Sequence, residues 1–185
     1  MTPEPKGRKV ERRPVKKPTE DRLMNQAMYY LGRFAASSAM LKTVLMRRVD
    51  RAVRAELIER ADGAALVDTV VRRCVASGMI DDRQFAQGRA ETLLRQGKSP
   101  SRIRQVLASK GVGEDHSDAS LEHLGDQHED LALAAATRLA QRRRLGPFRQ
   151  TDRVENRDRD MAVLARAGHG YDVAKRVIDA AGDED

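Results

Sequence analysis

Between Arg89 and Lys110 the chain carries Arg89, Arg95, Lys98, Arg102, Arg104 and Lys110 against one acid, Glu91. Residues of this kind recognise anions rather than transform substrates. A guanidinium fork donates two parallel hydrogen bonds to a carboxylate or a phosphate. Inside the stretch, Ser99-Pro100 reads as a helix start, with serine as the cap and proline at the first helical position. The first amides of that helix and the positive end of its dipole add to the attraction for an anion. The same dipole disfavours cations in the first turns, so Arg102 and Arg104 call for a reason beyond the helix. A second run, Arg142-Arg143-Arg144, falls at a helix end, where cations are also ordinary complements to the dipole. These nine residues, Arg89 to Lys110 and Arg142 to Arg144, are the expected binding residues.

Other chemistry finds little support. No Walker-type glycine loop and no nucleophile elbow is present. The four histidines, His116, His123, His128 and His169, have no cysteine partners for a structural zinc site. His123 and His128, five apart near Asp126 and Glu129, read as exposed residues on a polar, loop-rich stretch rather than as metal ligands. Cys74 falls on an apolar helix stripe, where a buried thiol is expected. No cofactor and no metal is called for, and the chain does not read as an enzyme.

The elements that must hold these residues are helical. Hydrophobic residues make up 40% of the 185, but aromatics only 3%, with no tryptophan. The core must therefore come from Leu, Val, Ile, Met and Ala, and no segment alternates as a strand would. Helical spacing places Leu23, Ala27, Tyr30, Leu31 and Phe34 on a first helix. Ser37 or Ser38 caps a second, and Asp62-Gly63 reads as a stop. A third carries Leu66 to Val75. Asp81 caps a fourth, and the fifth begins at Ser99. A weak sixth covers 118–124, a seventh 127–143, another leads to Gly168, and the last spans 171–181. No apolar run approaches the ~18 residues of a membrane span. One cysteine, a charged N-terminus and no signal-peptide segment predict a monomeric cytoplasmic protein.

Net charge is +7, which suggests an acidic partner. Residues 1–20 hold seven Lys or Arg against three Glu, with four prolines. They read as a disordered basic arm. Val44-Leu45, Val106-Leu107 and Val163-Leu164 recur at matching places, so the chain reads as an all-α array of tandem three-helix, helix-turn-helix-like repeats. The expected units are 21–80, lengthened near 50–63, then 81–125 and 126–182. Tandem packing covers faces that a single small unit leaves open and gives an elongated, curved body.

The segment Gly78-Met79-Ile80-Asp81-Asp82-Arg83-Gln84-Phe85-Ala86 resembles the GYLDDERFA signature of the RecX family. Arg95 to Leu107, followed by Lys110-Gly111-Val112, resembles that family's GKGPRRIRQELRQKGI segment. Tyr30-Leu31 with Ser38 and Leu41, and Tyr171 to Ala174, resemble its first repeat and closing helix. Two features depart from the pattern. The second helix of the first repeat ends at Arg47-Arg48-Val49 without the usual glycine, and 116–128 is rich in acids and histidine. The resemblance implies a regulator that binds the RecA filament, lodges in its groove and restrains its ATP hydrolysis, strand exchange and co-protease activity. DNA contact through the basic surface is a further expectation. The alternative is a nucleic-acid-binding protein or helix-turn-helix repressor acting without RecA.

Overall fold

The computed structural model describes residues 14–180. Among them the chain is helical throughout, without strands: α1 Glu20–Leu31, α2 Ser38–Arg54, α3 Arg60–Ala76, α4 Asp82–Arg95, α5 Pro100–Ser109, α6 Glu114–Gly125, α7 Leu131–Arg143, α8 Arg157–Arg166 and α9 Tyr171–Ile178. A 3-10 turn, Gly146–Phe148, follows α7. Short polar side chains start the helices where the sequence offers them. Thr19, Ser37, Asp81, Ser99 and Asp130 each accept a hydrogen bond from the amide three residues on, which satisfies a donor that the helix itself cannot.

Three apolar clusters follow one another along the chain. Leu23, Leu41, Leu45, Val67 and Cys74 centre the first, drawn wholly from residues 23–80. Leu93, Leu94, Ile103 and Leu107 centre the second. Leu139, Leu164, Val177 and Ile178 centre the third. Helix α7 serves two of them: Leu131 and Ala135 pack on the second cluster, Ala136, Leu139 and Ala140 on the third. The third also encloses Asp160, 1% exposed, which accepts from the Gly146 amide and from Arg149 at 2.7 Å. Burial pushes that carboxyl up, and the Arg149 and Gly146 hydrogen bonds outweigh it, leaving Asp160 below its usual range.

Several expectations are corrected. Asp62-Gly63 is not a stop but lies inside α3. Gly63 is buried, and a Cβ there would come 2.3 Å from Val49 Cγ1. The glycine lets α3 press against α2. Helix α2 does not end at Arg47–Val49 but runs on to Arg54, and both α2 and α3 have 17 residues where α5 has 10 and α6 has 12. Most of the additional length of this region is helix, with a turn at 55–59 between α2 and α3. Phe34 lies beyond α1 and is exposed, as is Val75. Helix α6 begins at Glu114, earlier than expected, and α7 at Leu131, later. Of the expected arm, residues 1–13 lie outside the described residues. Its last part does not behave as a loose tail: Pro18 is buried, Arg22 donates to the Lys17 carbonyl at 2.8 Å, and Glu20 opens α1.

Candidate macromolecule-binding surface

The cations from Arg89 to Lys110 hang on α4, the turn after it, and α5. That turn needs Gly97, at φ +70, because α7 lies against it: a Cβ there would meet Leu139 N at 2.8 Å. Helix α5 starts at once, and its cap residue Ser99 is 3% exposed. Gly168, in the turn between α8 and α9, sits over that cap. A Cβ on Gly168 would come 2.7 Å from Ser99 Oγ and 3.5 Å from Arg102 Cβ. The next residue, His169, is 6% exposed, and its Nε2 donates to the Gly97 carbonyl at 3.0 Å. At the N-terminus of α5 the Arg102 amide is thus taken by the helix's own serine, and a neighbouring turn sits over that cap. The cationic side chains around it remain outside: Arg95 and Arg102 are exposed and Lys98 half-buried.

The same device appears earlier. Ser37, cap of α2, donates to the Lys110 carbonyl, and a Cβ on Gly111 would come 2.2 Å from Ala39 Cβ. Twice, then, the start of one helix seats on the glycine turn after a later one. The turn after α2 has Glu56 at φ +57 in the place of such a glycine. Glu56 is exposed, so no backbone demands the space that a side chain takes, and the missing glycine is accounted for.

The structure divides the expected residues. Arg95, Lys98 and Arg102 gather around the α4–α5 turn, and Arg102 donates only to Gln105 on its own helix. Arg142 and Arg143 lie one helical turn beyond Leu139, the residue against Gly97, and are exposed. Arg144 follows at φ 52 and ends α7. Arg89 faces a groove lined by Ala35, Ala36, Met79 and Phe85. Lys110 is at the far end of α5, about 15 Å along its axis. Arg104 is not a free cation: it holds Asp118 of α6 at 2.7 Å. Lys42, five residues after Ser37 as Arg104 is five after Ser99, holds Asp68 of α3 at 2.7 Å. The cation that the α5 dipole disfavours is repaid by a carboxylate across the helix pair.

His169 is enclosed by its surroundings. Burial drives its pKa down, the Gly97 carbonyl partly opposes this, and Lys98 adds to the lowering. Its Nδ1 is buried without a partner. His123 and His128 do not converge; they pair with Gln127 and Arg138 respectively. Among the described residues, no three His, Cys, Asp or Glu side chains gather as a metal site would require. Cys74 is buried, which pushes its thiol up.

Sequence reasoning missed a second basic surface. Arg47, Arg48, Arg51 and Arg54 are all exposed on α2. Their steps of one, three and three put them along one side of a helix, a signal obscured by ending that helix at Val49. No described helix is long and apolar enough to cross a membrane.

Comparison with known proteins agrees with this architecture. Residues 81–121 match the model of the RecX second three-helix domain. Two crystal structures share the fold: a regulatory protein RecX, with TM-score 0.58 and 20% identity over 87% of this chain and 72% of that one, and RecX from Lactobacillus salivarius, with TM-score 0.57 and 17% identity over 86% and 94%. Regulatory protein RecX of Halorhodospira halophila is 32% identical over 82% of this chain and 90% of its own length. Regulatory protein RecX of Myxococcus xanthus is 38% identical over 96% of this chain and 95% of its own length. The chain therefore belongs to the RecX family of regulatory proteins.

Proposed function

We propose that this protein binds the filament of the RecA recombinase and restrains its ATP hydrolysis, strand exchange and co-protease activity, and so modulates recombination, repair and the SOS response. It acts as a cytoplasmic monomer and without catalysis of its own. Three three-helix units, 21–80, 81–125 and 126–182, form a curved body that follows the filament groove. The cations at the second seating, Arg95, Lys98, Arg102, Arg142 and Arg143, meet acidic faces of the filament. The observation that carries the reading is the repeated seating of a capped helix start on a glycine turn, Ser37 on Lys110-Gly111 and Ser99 on Gly168-His169. It joins successive helix groups in one direction, as an elongated binder requires.

The test is ATP hydrolysis by RecA on single-stranded DNA, titrated with this protein. Hydrolysis is expected to fall to a plateau as the filament saturates. Unchanged hydrolysis at saturating protein would overturn the proposal. Sequence-selective duplex binding without RecA would put a helix-turn-helix repressor in its place.

A further inference from the structure

The second basic surface lies apart from the cations around Gly97. Residues 14–18 run beside α1 and the middle of α2, and enclose a groove of about 770 Å³ with them. Lys16, Lys17, Arg22, Arg48 and Arg51 line it, and among the described residues no acidic one does. Of the nearby carboxylates, Glu20 pairs with Arg73 and Asp50 with Arg60 at 2.9 Å, while Asp21, beside Arg22, is exposed and does not line the groove. Tyr29 stands in the same groove and is 63% exposed. The Arg33 guanidinium lies 4.2 Å from its ring centroid, covers one face and leaves ring surface open. Asn25 and Gln26, also lining the groove, can donate to and accept from base edges. In the sequence, residues 1–13 precede this segment and include Lys6, Arg8, Lys9, Arg12 and Arg13 against Glu4 and Glu11.

An exposed aromatic inside a cationic groove is what an unpaired nucleic-acid strand uses. Lysines and arginines track the phosphates while a base stacks on the ring. A duplex keeps its base faces covered, an anionic membrane has no planar group for the ring, and an acidic protein face does not alternate anions with planar groups as a single strand does. We propose that the groove between residues 14–18, α1 and α2 binds single-stranded nucleic acid, with Lys17, Arg48 and Arg51 on phosphates and Tyr29 beneath a base. This assigns a separate track to the first helix group and does not rest on the RecA reading.

The experiment is fluorescence anisotropy of a labelled thymidine oligonucleotide of about 16 nucleotides, with the full chain and no RecA. Affinity is expected to fall with salt along a log–log slope of about −2 to −3.5, as three to five phosphate contacts on a single strand require. Lys17→Glu, Arg48→Glu and Arg51→Glu together should weaken binding more than tenfold and flatten that slope. Tyr29→Ala should weaken it about tenfold with the slope unchanged, and Tyr29→Trp should restore it. The Lys175→Glu chain, changed at an exposed cation of α9, should bind the oligonucleotide as the parent does. If the triple variant loses helicity, Arg48→Gln with Arg51→Gln carries the same comparison. Parent-like affinity in the α2 variants, or equal binding to duplex or to anionic phosphatidylserine vesicles, would overturn the assignment.

Discussion

The two seatings in this molecule look alike in the backbone and differ in what surrounds them. At the first, Ser37 donates to the Lys110 carbonyl, while Ser38 donates from its amide and its hydroxyl to Asp82 at 2.7 and 2.5 Å. No side chain is shared there between the cluster of residues 23–80 and the next one. At the second, Ser99 lies under Gly168, His169 bonds to Gly97, and α7 sends Leu131 and Ala135 into the middle cluster. One joint is made of caps and a carboxylate; the other has a core running through it. The same contact can thus serve as a separable joint or as part of a continuous body, depending on whether apolar surface is buried beside it. The first helix group is the part expected to move.

The comparison can be broken most severely at the glycines. Gly97→Ala adds a Cβ at positive φ against the Leu139 backbone and is expected to cost about 2–4 kcal/mol in chemical unfolding. Gly111→Ala meets only the Ala39 methyl, at a joint free to open, and should cost about 1–2 kcal/mol. Equal losses would mean that the first joint is as rigid as the second. Asp82→Ala removes the acceptor of both Ser38 donors. A loss of about 1.5–3 kcal/mol is expected, with hydrogen exchange speeding up first at the start of α2 and leaving α7 protected.

The second joint should carry the pH response. His169 has its pKa lowered from 6.5 in the folded protein, so the unfolded chain binds the proton more readily. Stability is then full above about pH 6.5 and falls as pH drops below it. Urea midpoints from about pH 7.5 to 5.5 should show the decline in the parent and a flatter profile in His169→Gln. A parent profile as flat as the variant's would count against a buried neutral imidazole. Arg104→Gln is the mildest change. Its pair with Asp118 is exposed on both sides, so a loss below about 1 kcal/mol is expected.

Much of this architecture is legible in the sequence because local signals and packing agree. Ser37, Asp81 and Ser99 cap as their types suggest, and Pro100 stands where a first-turn proline belongs. The family resemblance sits on those same residues, 78–86 and 95–112. What escaped depends on neighbours distant in sequence. Gly63 looks like a stop until Val49 is known to press on it. Arg104 looks unpaid until Asp118 is brought across the α5–α6 turn. His169 looks like one more polar histidine, because its partner Gly97 is 72 residues away. The α2 arginines were hidden by an assumed helix end, and their groove needs residues 14–18 folded back upon them.

The cations around the second seating are proposed to hold the filament. Co-sedimentation with RecA–single-stranded DNA filaments tests it most directly, comparing the parent, Arg104→Gln and the combined Arg95→Glu, Lys98→Glu, Arg102→Glu chain. The parent and Arg104→Gln are expected to pellet alike, and the triple variant to stay in the supernatant with its helicity intact. Pelleting of the triple variant at the parent's level would contradict it.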